Sequence, residues 1–158
     1  MTFKVGDKVV YPMHGAGVIE RIEEKEILNE IKAYYILHIP YGKIQVMIPT
    51  DKCAEAGLRS IGVKDDVKQV LNVLAAPSTP MDVNWNRRLR ENNEKLKTGD
   101  PLKVAEVIRN LVRVEREKKL SSGEKKLLIS ARQILSSEIA MIYKISDKEA
   151  DAMIEKAI

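Results

Sequence analysis

One short stretch, "NWNRRLREN" at residues 84–92, combines residue types that bind nucleic acid. Trp85 is the only tryptophan of the chain and has almost no apolar neighbours. Three arginines follow it closely, at Arg87, Arg88 and Arg90. An aromatic ring can stack on a base or wedge beside it, while arginines bind phosphates. A tryptophan that packs back onto its own fold beside solvated arginines fits the same residues, and the pattern favours neither interpretation.

The remaining reactive residue types carry no recognisable enzyme or metal signature. The "GAG" at 15–17 lacks the glycines and the Gly-Lys-Ser/Thr of phosphate loops and precedes strand-like residues, so it predicts a tight turn. His14 beside it has no identifiable nucleophile and orienting carboxylate as partners. The acidic run "EEKEILNE" lacks an EF-hand pattern and is more typical of a solvated hairpin.

Cysteine and histidine are too rare to support redox or metal chemistry. The chain has one cysteine, Cys53, and two distant histidines, His14 and His38. One cysteine excludes an internal disulfide, and this set is too small for a structural zinc site. We expect Cys53 to be a small buried residue. The sequence therefore predicts no metal, no cofactor and no enzymatic activity.

The length and the hydropathy pattern limit the class of protein. A chain of 158 residues with 44% hydrophobic content can hold one ordinary domain or two small ones. It contains no run of about 18 apolar residues, and "MTFKVGDKVVYP" lacks the layout of a signal peptide. We expect a cytoplasmic protein without a membrane partner.

Positive charge is concentrated around the tryptophan. The net charge is +4, yet residues 1–60 are balanced, with 8 basic and 8 acidic side chains. Residues 84–126 carry 13 lysines and arginines against 7 aspartates and glutamates. Such a local surplus attracts polyanions, although a solvated charged face is the commoner explanation of a basic helix.

Residues 5–49 alternate with a period near two, which is typical of strands. In "KVGDKVVYP" the side chains expected to share one side are Val5, Val9 and Tyr11. In "KIQVMIP" those expected to point inward are Ile44, Val46 and Ile48, which leaves Met47 outward. Turn signals separate four or five short strands. The pattern predicts a small antiparallel β-barrel of the SH3 or Tudor type over residues 1–56.

After "TDKCAEAGLRS" the apolar period becomes 3.6 and predicts a compact all-α bundle of about five helices over residues 60–158. The first helix carries an apolar stripe and ends before Pro77. Asn84 or Asp82 can cap the helix of Trp85, and Asp100-Pro101 opens the next. Capping boxes that begin at Ser121 and Ser146 open the last two helices. The predicted fold class is α+β with two domains.

Three motifs together resemble the bacterial CarD/CdnL family of transcription regulators. They are "FKVGDKVVYPMHGAGVIERIEE" at 3–24, "NWNRRLRENNEKLKTGDPLKVAEVIRNL" at 84–111 and "LSSGEKKLLISARQILSSEIA" at 120–140. The first motif also occurs in the transcription-repair coupling factor, a much larger ATP-driven translocase. The second and third motifs, in this order, are similar to the stand-alone regulators. The resemblance covers most of the chain.

The resemblance implies that the barrel is an RNA polymerase interacting domain. In that family this domain binds the β subunit of bacterial RNA polymerase at its protrusion, or β1 lobe, largely by edge-to-edge strand pairing. The residues expected at this surface are Lys25, Ile27, Lys43, Gln45 and Met47. Family members carry arginine at the positions of Lys25 and Met47. Lysine keeps the charge without the bidentate fork, and methionine keeps neither.

The resemblance also implies that the helical domain contacts promoter DNA at the upstream edge of the transcription bubble, near the −10 element. The position that matches the family's wedging tryptophan is Trp85. The basic positions that match its DNA contacts are Arg87, Arg90 and Lys125, and Arg88 and Lys126 join this set because of their charge alone. We expect binding without sequence preference, because phosphate contacts carry no base code.

The expected function is therefore regulation of transcription by stabilising the open promoter complex. The alternative is an adaptor on RNA polymerase or a repair factor that makes no direct DNA contact. In that case Trp85 is a hot spot of a protein interface.

Overall fold

The computed structural model describes residues 2–158, which form a five-stranded antiparallel sheet followed by helices. The strands are β1 (Lys8–Tyr11), β2 (Gly15–Ile27), β3 (Glu30–Ile39), β4 (Ile44–Pro49) and β5 (Arg59–Ser60). Their order in the sheet is β4-β3-β2-β1-β5. Strands β4 and β5 therefore each have one hydrogen-bonded neighbour and form the two edges.

The longest feature of the sheet is the β2–β3 hairpin. Its two turn residues, Leu28 and Asn29, have φ values of 52° and 64°. Positive φ at both central positions is the conformation of a type I′ turn, whose twist matches the two strands that it joins. The register shifts between Ile19 and Arg21, so Glu20 forms a bulge.

One face of the sheet encloses a small apolar core. Alternate residues of β2, β3 and β4 supply it, which follows from the two-residue period of a strand. The buried members of this core are Phe3, Val9, Ile19, Tyr35, Leu37, Ile39, Ile48, Cys53 and Leu58. Val46 packs against it partly buried, and Met47 points outward as predicted.

Two residues that alternation groups with core positions lie outside this core. Val5 is 59% exposed and precedes β1, because Gly6 with a φ of 92° redirects the chain between them. Ile44 lies opposite the buried Ile39 and so shares the core face, but it is 42% exposed and is not covered by the core. It is the first residue of the edge strand β4, where only β3 pairs with it.

The helices are α1 (Cys53–Ala56), α2 (Lys64–Ala75), α3 (Trp85–Lys97), α4 (Pro101–Glu117), α5 (Ser122–Tyr143) and α6 (Asp147–Ala157). Helices α2 to α6 share one apolar core, as the 3.6-residue period predicts. Its fully buried side chains include Leu74, Leu96, Ile108, Leu111, Ile139 and Ile154. Among the described helices, none is long and apolar enough to cross a membrane.

Local side-chain signals set the helix boundaries. The carboxylate of Asp100 accepts a hydrogen bond from the backbone N–H of Leu102, and Pro101 occupies the first turn of α4. Ser121 and Ser146 cap α5 and α6, each in a reciprocal capping box with the glutamate three residues later. These predicted starts are confirmed.

Polar contacts fix the two halves against each other. The Arg59 guanidinium donates two hydrogen bonds of 2.8 Å to the Glu138 carboxylate. The same carboxylate accepts from the backbone N–H of Gly62 at 2.9 Å, and Ser137 Oγ accepts from the N–H of Ala16 at 3.0 Å. Because Arg59 belongs to β5, the sheet runs past the predicted end at residue 56 and joins α5 directly.

Candidate nucleic-acid and polymerase interfaces

Trp85 is the first residue of α3 and is held there by a side-chain cap. Asn84 Oδ1 accepts hydrogen bonds from the backbone N–H groups of Asn86 at 3.0 Å and Arg87 at 3.2 Å. Asp82 in turn accepts from the N–H of Asn84 at 2.8 Å. This double turn fixes the direction of the backbone just before the tryptophan. The Trp85 side chain is nevertheless 50% exposed.

Trp85 lies at the N-terminal end of the α3 face that packs on the bundle. Leu89, Asn92 and Leu96 follow at helical spacing, and the last two are buried. A Cβ atom at Gly123 would lie 2.9 Å from Leu89 Cδ2, so α3 approaches the start of α5 closely. The bundle therefore covers this side of α3 beyond its first turn and leaves half of the indole in solvent.

Arg88, predicted to contact DNA, is instead bound inside the protein. Its Nε donates to the carboxylate of Glu124, whose side chain is 0% exposed, while that of Arg88 is 11% exposed. Burial raises the pKa of the Glu124 carboxyl, but the hydrogen bond and charge of Arg88 and the hydrogen bond from Ser121 lower it overall. Arg88 thus joins α3 to the start of α5.

Arg87 and Arg90 lie on a different side of α3 from the tryptophan. At about 100° per residue they are about 200° and 140° around the helix from Trp85. Both are exposed. The ion pairs within residues 2–158 include neither of them. They present free cations to solvent, as a phosphate contact requires.

Lys125 and Lys126 directly follow Glu124 in the first turn of α5. Lys125 is half-buried and Lys126 is exposed. Arg88 connects Glu124 to α3, and the two lysines lie about 100° and 200° around α5 from Glu124, outside the groove between the two helices. The predicted DNA-contacting residues thus lie on two adjoining helices, with Arg88 at their junction in an ion pair and Arg87 and Arg90 on another side of α3 from Trp85.

A groove of about 440 Å³ runs between the start of α3 and the α4–α5 connection. The residues that line it are Val83, Trp85, Arg88, Lys118, Lys119, Leu120, Ser121 and Glu124. Sequence reasoning missed Lys118 and Lys119 as neighbours of the tryptophan. In the sequence, Lys118 and Lys119 are part of the basic segment 84–126. Spacing along the chain does not show that they lie beside Trp85, which is more than 30 positions away.

The predicted polymerase-facing residues fall into two patches. Lys43 precedes the edge strand β4, which contains Gln45 and Met47, and all three are exposed. Lys25 and Ile27 lie near the end of β2, where the hairpin extends beyond β4. Lys25 pairs with Lys32 and Met47 with Ile36, so the patches lie about 14 Å apart along β3.

Beside the predicted Ile27, the hairpin tip carries two exposed apolar residues, Leu28 and Ile31, that the sequence did not point to. Leu28 is 93% exposed, Ile31 is 70% exposed and Ile27 is 43% exposed. Large aliphatic side chains clustered in solvent are typical of interaction surfaces. The available signal was the alternation of isoleucine with charge in "EILNEIK" around a turn.

The other reactive residue types considered in the sequence make packing or backbone contacts. His14 stacks on Tyr11 with ring centroids 4.8 Å apart, and the "GAG" forms the start of β2 against α5. Cys53 is buried, and burial raises the pKa of its thiol. Within residues 2–158, His, Cys, Asp and Glu form no group of three suited to a metal ion.

Two family models match the chain. The one described as "CarD-like/TRCF RID domain" matches residues 3–62, and "CarD, C-terminal domain" matches residues 69–155. The chain belongs to the CarD-like family. The chain is also 39% identical over 147 residues to "Putative transcription factor YdeB" of Bacillus subtilis (strain 168), an alignment that covers 93% of this chain and 96% of that protein.

Membership of the CarD-like family confirms the resemblance drawn from the three motifs. CarD-like proteins are transcription regulators and not enzymes. The RID domain is Tudor-like and implies interaction with the RNA polymerase β subunit. The sheet followed by a helical bundle confirms the predicted two-domain α+β class.

Proposed function

We propose that this CarD-like chain stabilises the open promoter complex by holding Trp85 at the upstream edge of the transcription bubble, near the −10 element. The observation that carries the proposal is the half-exposed indole at the start of a helix that buries the later residues of the same side, Asn92 and Leu96. Exposing half of a tryptophan forgoes much of its burial energy, and contact with an unstacked base restores it.

Docking on the β subunit occurs through strand pairing at the free edge of β4, against the protrusion or β1 lobe. Edge strands offer unpaired N–H and C=O groups, which supply affinity, while flanking side chains supply specificity. Gln45 and Met47 flank that edge, and Lys43 precedes it. Lys25 and Ile27 extend the same interface along the hairpin.

Free cations on α3 and α5 bind the DNA backbone on either side of the bubble edge. Arg87 and Arg90 supply them from α3, and Lys125 and Lys126 supply them from α5. Contacts to phosphates are independent of base sequence, so the chain acts at promoters that polymerase has already selected. Arg88 serves this site by positioning α3.

Stabilisation requires that the chain bind open DNA more tightly than closed duplex, since only differential affinity shifts an equilibrium. One stacked indole with two or three phosphate contacts favours the open state by roughly 1–3 kcal/mol, about fivefold to 150-fold. Docking on polymerase raises the local concentration at DNA toward about millimolar, so few contacts suffice. The Arg59–Glu138 contact keeps the two interfaces at a fixed spacing.

Replacing Trp85 by alanine tests this function. We expect normal capture of polymerase and an open-complex lifetime shortened by about fivefold or more, the lower end of one stacking contact. Trp85→Phe is the matched control and should retain part of the effect. Lifetime is measured after a heparin challenge on a promoter that forms unstable open complexes.

Two outcomes contradict the proposal. An unchanged open-complex lifetime in Trp85→Ala would show that Trp85 does not act as a wedge. Loss of polymerase capture in the same variant makes Trp85 a protein-interface residue and favours the adaptor function, because the exposed Val83 and Trp85 also suit a protein partner.

A further inference from the structure

The unpaired cations that line the groove of Trp85 are not the arginines that follow it in sequence. Lys118 and Lys119 line the same groove as Trp85, whereas Arg88 there is bound to Glu124 and Arg87 lies on another side of α3. Both lysines are exposed. Over residues 2–158, neither takes part in an ion pair.

The two lysines are held in place by the chain on both sides of them. The backbone N–H of Lys118 donates to the carbonyl of Val114 at 2.9 Å, which ties it to the end of α4. Leu120 is buried in the bundle core, and Ser121 caps α5. The backbone of this connection is therefore fixed, and only the lysine side chains are free to reach a ligand.

Apolar side chains also line the groove. Val83 is 96% exposed and Trp85 is 50% exposed. Among the described residues that line the groove, the one carboxylate is that of Glu124, and Arg88 neutralises its charge. The groove thus combines an aromatic and aliphatic wall with two uncompensated positive charges, which is the composition of a site for single-stranded nucleic acid.

We infer that this groove binds one unpaired DNA strand, with a base against Trp85 and Val83 and the phosphodiester backbone on Lys118 and Lys119. The inference rests on the proposed function and gives it a second element, because the indole and the lysines hold the same strand. A groove of about 440 Å³ accommodates a base with its sugar and phosphate. Lysines bind phosphate as point charges, so the groove tolerates any base.

The test is the Lys118→Ala, Lys119→Ala double variant in complex with RNA polymerase on a promoter fragment whose bubble is held open by mismatches. Each phosphate contact to a single strand contributes about 0.7 to the slope of log affinity against log salt. Loss of two contacts should therefore reduce the slope by about 1.4, and at 0.1 M salt it should weaken binding by about 25-fold. The substituted side chains are exposed, so folding should be preserved.

The matched control removes two charges elsewhere, by Lys103→Ala and Lys156→Ala, both of which are also exposed. Its affinity and salt slope should match those of the wild-type chain. An unchanged slope in the Lys118 and Lys119 variant overturns the inference, as does an equal loss of affinity for polymerase without DNA. An equal loss on fully paired duplex also overturns it, because the contact is then to double-stranded DNA.

Failure of this inference is distinguishable from failure of the proposed function. If Trp85→Ala shortens the open-complex lifetime while the lysine variant behaves as wild type, the wedge stands and only the lysine groove is wrong. If Trp85→Ala has no effect, the proposed function falls whatever the lysines do.

Discussion

Replacing Arg88 by alanine should destabilise the helical domain rather than only weaken DNA binding. Its guanidinium is the ion-pair partner of Glu124, whose side chain is 0% exposed. Removing one partner of a buried pair leaves an uncompensated charge and costs about 3–5 kcal/mol. Glu124 keeps its hydrogen bond from the backbone N–H of Ser121, so we expect a loss near the lower end, about 3 kcal/mol.

The loss should depend on pH in a defined direction. In the wild-type chain the pKa of Glu124 is below its usual value, because Arg88 and Ser121 outweigh the effect of burial. A depressed folded-state pKa contributes stability that is present above the unfolded-state pKa of about 4.3 and is lost as pH falls through the folded-state value. Without Arg88, burial dominates and raises the pKa of the Glu124 carboxyl. Protonation of Glu124 therefore reduces the loss of stability in the variant as pH falls. The gap between wild type and Arg88→Ala should therefore be largest at neutral pH, begin to narrow above the unfolded-state pKa of about 4.3, and be clearly smaller at pH 4.

Urea unfolding followed by circular dichroism at pH 7 and pH 4 measures this gap. With a slope of about 2 kcal/mol per molar, a loss of about 3 kcal/mol lowers the midpoint by about 1.5 M. Arg87→Ala is the matched control, because Arg87 is exposed and should change stability by less than about 0.5 kcal/mol. A second substitution, Glu124→Gln, should recover part of the loss in the Arg88 variant by removing the charge. Equal stability of Arg88→Ala and Arg87→Ala would refute the buried ion pair and return Arg88 to the DNA-contacting set.

Two further substitutions test how the domains are joined. Glu138→Ala removes the carboxylate that accepts both hydrogen bonds of Arg59 and the one from the Gly62 N–H. It should lower the free energy of unfolding by about 2–3 kcal/mol, less than the loss of a fully buried pair because Arg59 reaches solvent. Calorimetry should then show separate unfolding transitions for the two domains. Gly99→Ala should lower the free energy of unfolding by about 1–2 kcal/mol, because φ at Gly99 is 72° and an added Cβ would lie 3.0 Å from Pro12 Cγ. An unchanged midpoint of thermal unfolding would contradict that contact.

Much of the fold could be predicted because its signals are local. The Asp100, Ser121 and Ser146 caps each satisfy backbone N–H groups within three residues, so the sequence alone identifies them. For α3 the sequence left Asn84 and Asp82 as alternatives, and the structure has Asn84 as the cap. Hydrophobic periods of two and 3.6 separate the sheet from the bundle for the same reason. The three motifs are long and specific enough to indicate the family by themselves.

Burial at the ends of elements was harder to predict. Alternation alone placed Ile44 inward, but a residue at the start of an edge strand is covered only where a neighbouring element reaches it. Alternation likewise grouped Val5 with Val9, although a turn at Gly6 lies between them. Periodicity describes a regular segment, and it fails where the segment begins.

Local patterns of residues predict the two-domain class and the helix and strand boundaries near caps and turns. They also predict a tryptophan near the start of a helix, but not whether its side chain is exposed. The cations that surround it depend on the tertiary structure. Arg88 and Glu124 are 36 positions apart, and their pairing depends on how α3 packs on α5. Packing of helices also places Lys118 and Lys119 in the groove of Trp85. Such contacts join residues distant in the chain through the shape of the core, which no local pattern of residues encodes.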